Sequence, residues 1–210
     1  MGTLAQMLAD LEEQGTLAQV QERLQAGDDP LVILEECREG MALIGKRFES
    51  GEYYLSDLIM AGEIFKQVGA AVAPHLAGGK AAAPKGVIVI GTVDGDIHDI
   101  GKDIVVTMLR GANYQVEDLG VDVPVERFVQ RARETGAGIV GLSGLLTISF
   151  DPMKETVAAL RAAELPVKIM IGGGPVTEQV RAYTEADAMG LDAQAAVVLA
   201  DGWTAAGGVA

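Results

Sequence analysis

The hydrophobic positions of this chain change rhythm once, near residue 84. Before that point they recur every three or four residues. Leu4, Met7, Leu8 and Leu11 follow one helical face, as do Leu17, Val20 and Leu24. Asp29-Pro30 reads as an N-cap with proline at the first helical position. Leu31, Leu34, Met41, Ile44 and Phe48 form the stripe of a third helix. Glu49-Ser50-Gly51-Glu52 breaks it, and a fourth helix starts near Ser56 with Leu58, Ile59, Phe65, Val68 and Val72. Four short amphipathic helices with brief turns predict a four-helix bundle.

Beyond the small, flexible stretch Gly78-Gly79-Lys80-Ala81-Ala82-Ala83-Pro84 the pattern becomes one of short apolar runs alternating with helical ones. Val87–Ile90, Tyr114–Glu117, Ile139–Leu142 and Val167–Ile171 read as buried strands, with a weaker one near Ala186–Met189. Lys102–Arg110, Val125–Glu134, Met153–Ala163, Val176–Tyr183 and Ala193–Trp203 read as helices. This alternation predicts a five-stranded parallel sheet covered on both faces, doubly wound in the flavodoxin-like (Rossmann-like) order. We therefore expect a helical unit with its linker over 1–83 and an α/β unit over 84–210. A ligand of such a sheet lies over the carboxyl ends of the first and third strands, where the order reverses.

Composition narrows the function. Hydrophobic residues make up 49% of the chain, enough for a sizeable core, and the net charge is −14. That charge argues against nucleic acid and against anionic membrane surfaces as partners. Cys37 is the only cysteine, which leaves no intrachain disulfide and no cysteine-based zinc site. There is no membrane-spanning apolar run and no secretory leader pattern at the N-terminus. The expected compartment is the cytoplasm.

The chemistry concentrates between the first strand and its helix, in Gly91-Thr92-Val93-Asp94-Gly95-Asp96-Ile97-His98-Asp99-Ile100-Gly101-Lys102. His98 is one of two histidines in the chain and stands among acids, which are the usual partners that orient a metal-bound imidazole. The loop after the third strand, Gly141-Leu142-Ser143-Gly144-Leu145-Leu146-Thr147-Ile148-Ser149, is rich in hydroxyls. The loop after the fourth reads Gly172-Gly173-Gly174-Pro175. Glycines on that rim would leave room for a bulky group, and the hydroxyls could hydrogen-bond to it. His75 has no accompanying motif and is expected at the surface. Cys37 is expected to be a buried small hydrophobe.

Asp96-x-His98-x-x-Gly101, Ser143-x-Leu145 with Thr147 and Ser149, and Gly172-Gly173 resemble, in order, the three motifs of the cobalamin-binding domain. The chain looks like the cobalamin-binding fragment of methionine synthase and, by size, like the small corrinoid proteins of methyltransferase systems. Gly45 to Leu58 resembles the helical cap of that family. Gly-Gly-Ala is commoner in the family where this chain has Gly172-Gly173-Gly174-Pro175.

The resemblance implies a bound cobalamin or related corrinoid, carrying a methyl group in its loaded state. His98 would be the lower ligand of cobalt, with Asp96 and Ser149 relayed behind it. Gly95, Ile97, Asp99, Ile100 and Gly101 would complete the contacts of that loop. Ser143, Leu145, Thr147, Gly172 and Gly173 would line the slot for the nucleotide tail. Phe48, Leu55 and Leu58 would shield the upper face.

It further implies a methyl carrier. A donor-specific methyltransferase would load Co(I), and a second methyltransferase would pass the methyl to tetrahydrofolate or a thiol coenzyme. A reductive activase would be a third partner. The chain would not complete the cycle alone. Methanol, methylamines, quaternary amines and aryl methyl ethers are all donors served by such carriers. A mutase subunit or a cobalamin-sensing module are the alternatives, and they fit the helical cap and the charge less well.

Overall fold

In a computed structural model, which describes residues 3–75 and 83–207, the chain divides into two compact units, Met1–Ala83 and Pro84–Ala210. The linker stretch lies almost wholly outside the described residues.

The first unit holds α1 (Leu4–Ala9), α2 (Glu13–Ala26), α3 (Pro30–Glu49) and α4 (Leu55–Val72). Local chemistry sets their ends. Thr3 and Asp29 cap α1 and α3 by accepting the backbone N–H of Gln6 and Leu31. Gly27, at φ +86°, closes α2.

The buried face of α3 differs from the predicted stripe. Ile33, Cys37, Gly40, Met41 and Ile44 are buried, whereas Leu31 and Leu34 are only partly so. The reason is a close crossing with α1. A Cβ on Gly40 would lie 2.8 Å from the carbonyl oxygen of Ala5 and 3.0 Å from Leu8, so the helices meet along a face centred on glycine, which a count of large apolar residues overlooks. Cys37 is buried on that face, and burial pushes its thiol up to about 12. His75 is exposed.

The second unit alternates β1 (Val87–Thr92), α5 (Ile100–Gly111), β2 (Gln115–Asp118), α6 (Val125–Thr135), β3 (Ile139–Ser143), α7 (Phe150–Ala162), β4 (Lys168–Gly172), α8 (Glu178–Thr184), β5 (Ala188–Gly190) and α9 (Ala193–Ala205). The five strands are parallel in the order β2-β1-β3-β4-β5, which is the flavodoxin-like order. Val89, Val140, Leu142, Ile169 and Ile171 from the sheet pack with Phe128, Met153 and Leu160 from the helices in one core cluster. Thr92 pairs with Ser143, Ser143 with Gly172, and Gly172 with Gly190. The four strands thus end level, and their loops leave from one height on the rim. No helix among the described residues is long and apolar enough to cross a membrane.

Candidate functional site

The site begins where β1 ends. Asp96 N–H donates to Val93 C=O at 3.1 Å, making a tight turn in which Gly95 takes φ +76°, a conformation that glycine adopts at little cost. Thr92 Oγ1 donates to His98 C=O at 2.9 Å. This geometry buries one polar side chain and leaves its partner half-exposed. The Asp96 side chain is 0% exposed, whereas that of His98 is 46% exposed.

Asp96 is the hub. Its Oδ1 accepts from His98 N–H at 3.0 Å and contacts His98 Nδ1 at 2.7 Å. Its Oδ2 accepts from Ser149 Oγ at 2.7 Å, Leu145 N–H at 2.7 Å and Leu146 N–H at 3.2 Å. Burial by itself would raise the carboxyl's pKa. The hydrogen bonds from Ser149, His98 and Leu145 outweigh burial and hold Asp96 well below the ordinary carboxylate range. A permanent carboxylate beside Nδ1 keeps the ring proton on Nδ1 and leaves Nε2 with a lone pair to offer a metal. Ser149, buried in the short 3₁₀ turn Thr147–Ser149 ahead of α7, completes the relay. Ser143 and Thr147 are not drawn into it. Ser143 is half-buried at the end of β3, and Thr147 is exposed.

Two of the rim glycines are required by packing within the protein itself. Gly173 takes φ +137°, and a Cβ there would sit 1.9 Å from the carbonyl oxygen of Gly144. A Cβ on Gly144 would in turn press on Ser149 and Met153 at 2.6 and 2.8 Å. The serine and glycine loops are therefore packed backbone to backbone, joined by Gly144 N–H donating to Gly172 C=O at 3.1 Å. Gly172 is less confined, with its nearest neighbour, Gly190 C=O, at 3.5 Å.

The loops that carry and flank His98 present several exposed apolar side chains. Ile97, Ile100, Leu145, Leu146 and Ile148 are all exposed, on the loops after β1 and β3 and at the start of α5. Asp99 and Gly101 lie at the start of α5, Asp99 exposed and without a side-chain capping bond. In the helical unit, Phe48 is half-buried, Leu55 is exposed at the start of α4, and Leu58 one turn on is buried. Tyr54, Ile59 and Met60 add exposed apolar surface beside Leu55.

Two supporting residues escape a reading of the sequence. Lys102 is buried, its Nζ 2.7 Å from both carboxylate oxygens of Asp118 and 2.6 Å from Asp103. Burial alone would lower its pKa, but the two carboxylates reverse that and raise it. This pair ties the first turn of α5 to the end of β2. Asp122, in the loop after β2, reaches the turn at Gly95. Lys102 adjoins the motif glycine, Gly101, but no local pattern matches either residue to its partner.

The residues fit a corrinoid. Among those described, no group of three histidine, cysteine, aspartate or glutamate side chains gathers to hold a bare metal ion. A single oriented imidazole within an apolar platform suits a metal whose other ligands belong to a large flat ring.

Comparisons with known proteins agree. The B12 binding domain family matches residues 86–203, and a second B12 binding domain family matches residues 2–72. A dimethylamine corrinoid protein of Methanosarcina barkeri is 37% identical over 91% of this chain and 91% of its own length. A trimethylamine corrinoid protein of Methanosarcina acetivorans is 35% identical over 89% and 88%. Among solved structures, a cobalamin-binding protein from Desulfitobacterium hafniense superposes with TM-score 0.79 at 39% identity, covering 95% of this chain and 96% of that one. The methanol:cobalamin methyltransferase complex of Methanosarcina barkeri superposes with TM-score 0.84 at 26% identity, covering 97% and 78%.

Proposed function

Because the chain belongs to the family of B12-binding corrinoid proteins, we propose that it carries methyl groups from a donor-specific methyltransferase to a second methyltransferase serving tetrahydrofolate or a thiol coenzyme. Its cofactor is a corrinoid. When bound, the corrinoid supplies a cobalt centre that takes up and gives up a methyl group.

The observation that carries this reading is the buried Asp96 carboxylate, with hydrogen bonds on both oxygens, holding a half-exposed imidazole on an apolar rim. His98 Nε2 is the atom that would ligate cobalt. Asp96 accepts from Nδ1 and fixes the tautomer that leaves Nε2 available. Asp96 is held well below the ordinary carboxylate range, so it stays a hydrogen-bond acceptor toward the ring.

Gly173, packed on Gly144, keeps the two loops that would flank the nucleotide tail together, with Ser143, Thr147 and Gly172 alongside. Phe48 and Leu55 would shield the upper face from water, with Leu58 holding the start of α4. Relatives of similar identity are named for dimethylamine and for trimethylamine, so we assign donor choice to the partner methyltransferase. A reductive activase is a third partner in this scheme.

The test uses the full chain reconstituted with cobalamin and reduced. It is incubated with a candidate donor methyltransferase and isotopically labelled methanol, methylamines, a betaine or an aryl methyl ether. Label should remain on the protein through gel filtration with one donor class. It should leave only when an acceptor methyltransferase and its cosubstrate are added. Transfer of label from donor to acceptor without any methyltransferase would overturn the carrier role.

A further inference from the structure

Asp96 can hold His98 only if its own backbone is held; besides Val93 within the turn, a residue of another loop bonds to that backbone. Asp122 follows β2 and meets the His98 loop twice. Its side-chain Oδ1 accepts Gly95 N–H at 2.8 Å, and its own N–H donates to Asp96 C=O at 2.9 Å. To make both contacts Asp122 adopts φ +52°, a left-handed conformation that costs most residues energy and that aspartate and asparagine tolerate better than others.

The surrounding loop is stitched to the same place. Thr92 N–H donates to Gly120 C=O at 3.0 Å, and Val123 N–H donates to Thr92 C=O at 3.0 Å. Gly120 N–H is held by Asp118, the carboxylate paired with buried Lys102. The turn at residues 93–96 is thus clamped from the side of the sheet opposite Ser149 and Leu145, since β2 and β3 flank β1.

We propose that Asp122 is a positioning residue for the His98–Asp96 pair. It holds the 94–95 and 96–97 peptide units, while Asp96 N–H donating to Val93 C=O holds the unit between them, so that the carboxylate meets Ser149 and the imidazole at once. This inference rests on the reading that His98 ligates cobalt. Backbone tilt at Asp96 moves its carboxylate on a lever of a few bonds, enough to break contacts of 2.7 Å. The Asp122 carboxylate is exposed and water competes for it, so its bond from Gly95 N–H is worth about 0.5–1.5 kcal/mol, or roughly two- to twelvefold in an equilibrium.

The test compares Asp122→Ala, Asp122→Asn and His98→Ala in the full chain loaded with cobalamin in its Co(II) form. Electron paramagnetic resonance reads the ratio of cobalt with and without imidazole nitrogen splitting. Asp122→Ala should lower that ratio about three- to tenfold. Asp122→Asn keeps the Oδ1 acceptor and the left-handed tolerance, so it should stay within about twofold of wild type. Wild-type splitting in Asp122→Ala, or equal loss in Asp122→Asn, would overturn the assignment.

His98→Ala separates this inference from its premise. If splitting survives there, the ligand reading has failed. The positioning role is then read from the cofactor-free protein, by amide exchange at Gly95. Exchange should quicken severalfold in Asp122→Ala and hold steady in Asp122→Asn. Unchanged exchange in Asp122→Ala would overturn the role on its own. Thermal unfolding of each variant checks that the α/β unit is intact.

Discussion

Replacing Asp96 by Asn changes one atom and tests the whole arrangement. Three donors point at Oδ2: Ser149 Oγ and the N–H groups of Leu145 and Leu146. Only the amide oxygen of Asn can satisfy them, so its NH2 must take the place of Oδ1. There it faces His98 N–H and His98 Nδ1. The ring can respond by accepting at Nδ1, which moves its proton to Nε2 and closes that nitrogen to a metal. The backbone N–H cannot respond and is left facing another donor, at a cost of about 1–3 kcal/mol. Each donor on the other side exchanges a charged acceptor for a neutral one, a loss of about 1 kcal/mol apiece. These terms share atoms and do not add fully, so the expected destabilisation is about 4 kcal/mol.

Urea unfolding of the cofactor-free protein, followed through Trp203 on α9 of the same unit, measures this loss. Co(II) paramagnetic resonance of the loaded protein reads the tautomer. Because Asp96 is held below the ordinary carboxylate range, the wild-type advantage is complete above the unfolded value of about 3.9. The contribution of this carboxylate should shrink only as pH falls below the unfolded value, through the folded one. Retained imidazole splitting in Asp96→Asn, or a loss below about 1 kcal/mol, would refute the reasoning.

Gly173→Ala should destabilise the α/β unit by about 3 kcal/mol even without cofactor, because its Cβ would strike the Gly144 carbonyl and its φ is +137°. Gly172→Ala, with 3.5 Å to its nearest neighbour, should cost far less in the same urea titration. Lys102→Met should cost about 2–3 kcal/mol by stranding Asp118, and Lys102→Met with Asp118→Leu should recover most of it, as a double-mutant cycle will measure. In the helical unit, Leu58→Ala should lower stability by about 2–4 kcal/mol, whereas exposed Leu55→Ala should leave it within about 0.5 kcal/mol. Leu55→Ala should nonetheless speed air oxidation of the reduced, cobalamin-loaded protein, and an unchanged rate would remove Leu55 from the shield.

Much of this protein is legible along the chain because its information is local. The period of apolar residues distinguishes helices from strands, Asp29-Pro30 marks the start of α3, and the strand–helix alternation leads to the parallel sheet in its 2-1-3-4-5 order. The ordered motifs around His98, Ser149 and Gly172-Gly173 are likewise linear patterns. Even within the helices the limit is visible: α3 turns Ile33 and Cys37 inward because Gly40 meets α1, a fact of the partner helix rather than of α3.

The site itself depends on the folded chain. Asp96 is satisfied by donors 49, 50 and 53 residues away, and Gly173 is required by the backbone of Gly144 in another loop. Lys102 in the first turn of α5 finds Asp118 at the end of β2, and Asp122 reaches back to Gly95. Hydrophobic burial needs only the right face, so periodicity along the chain encodes it. A hydrogen bond needs two particular atoms within about 3 Å, and only the level ending of β1, β3 and β4 brings those loops near enough to choose their partners.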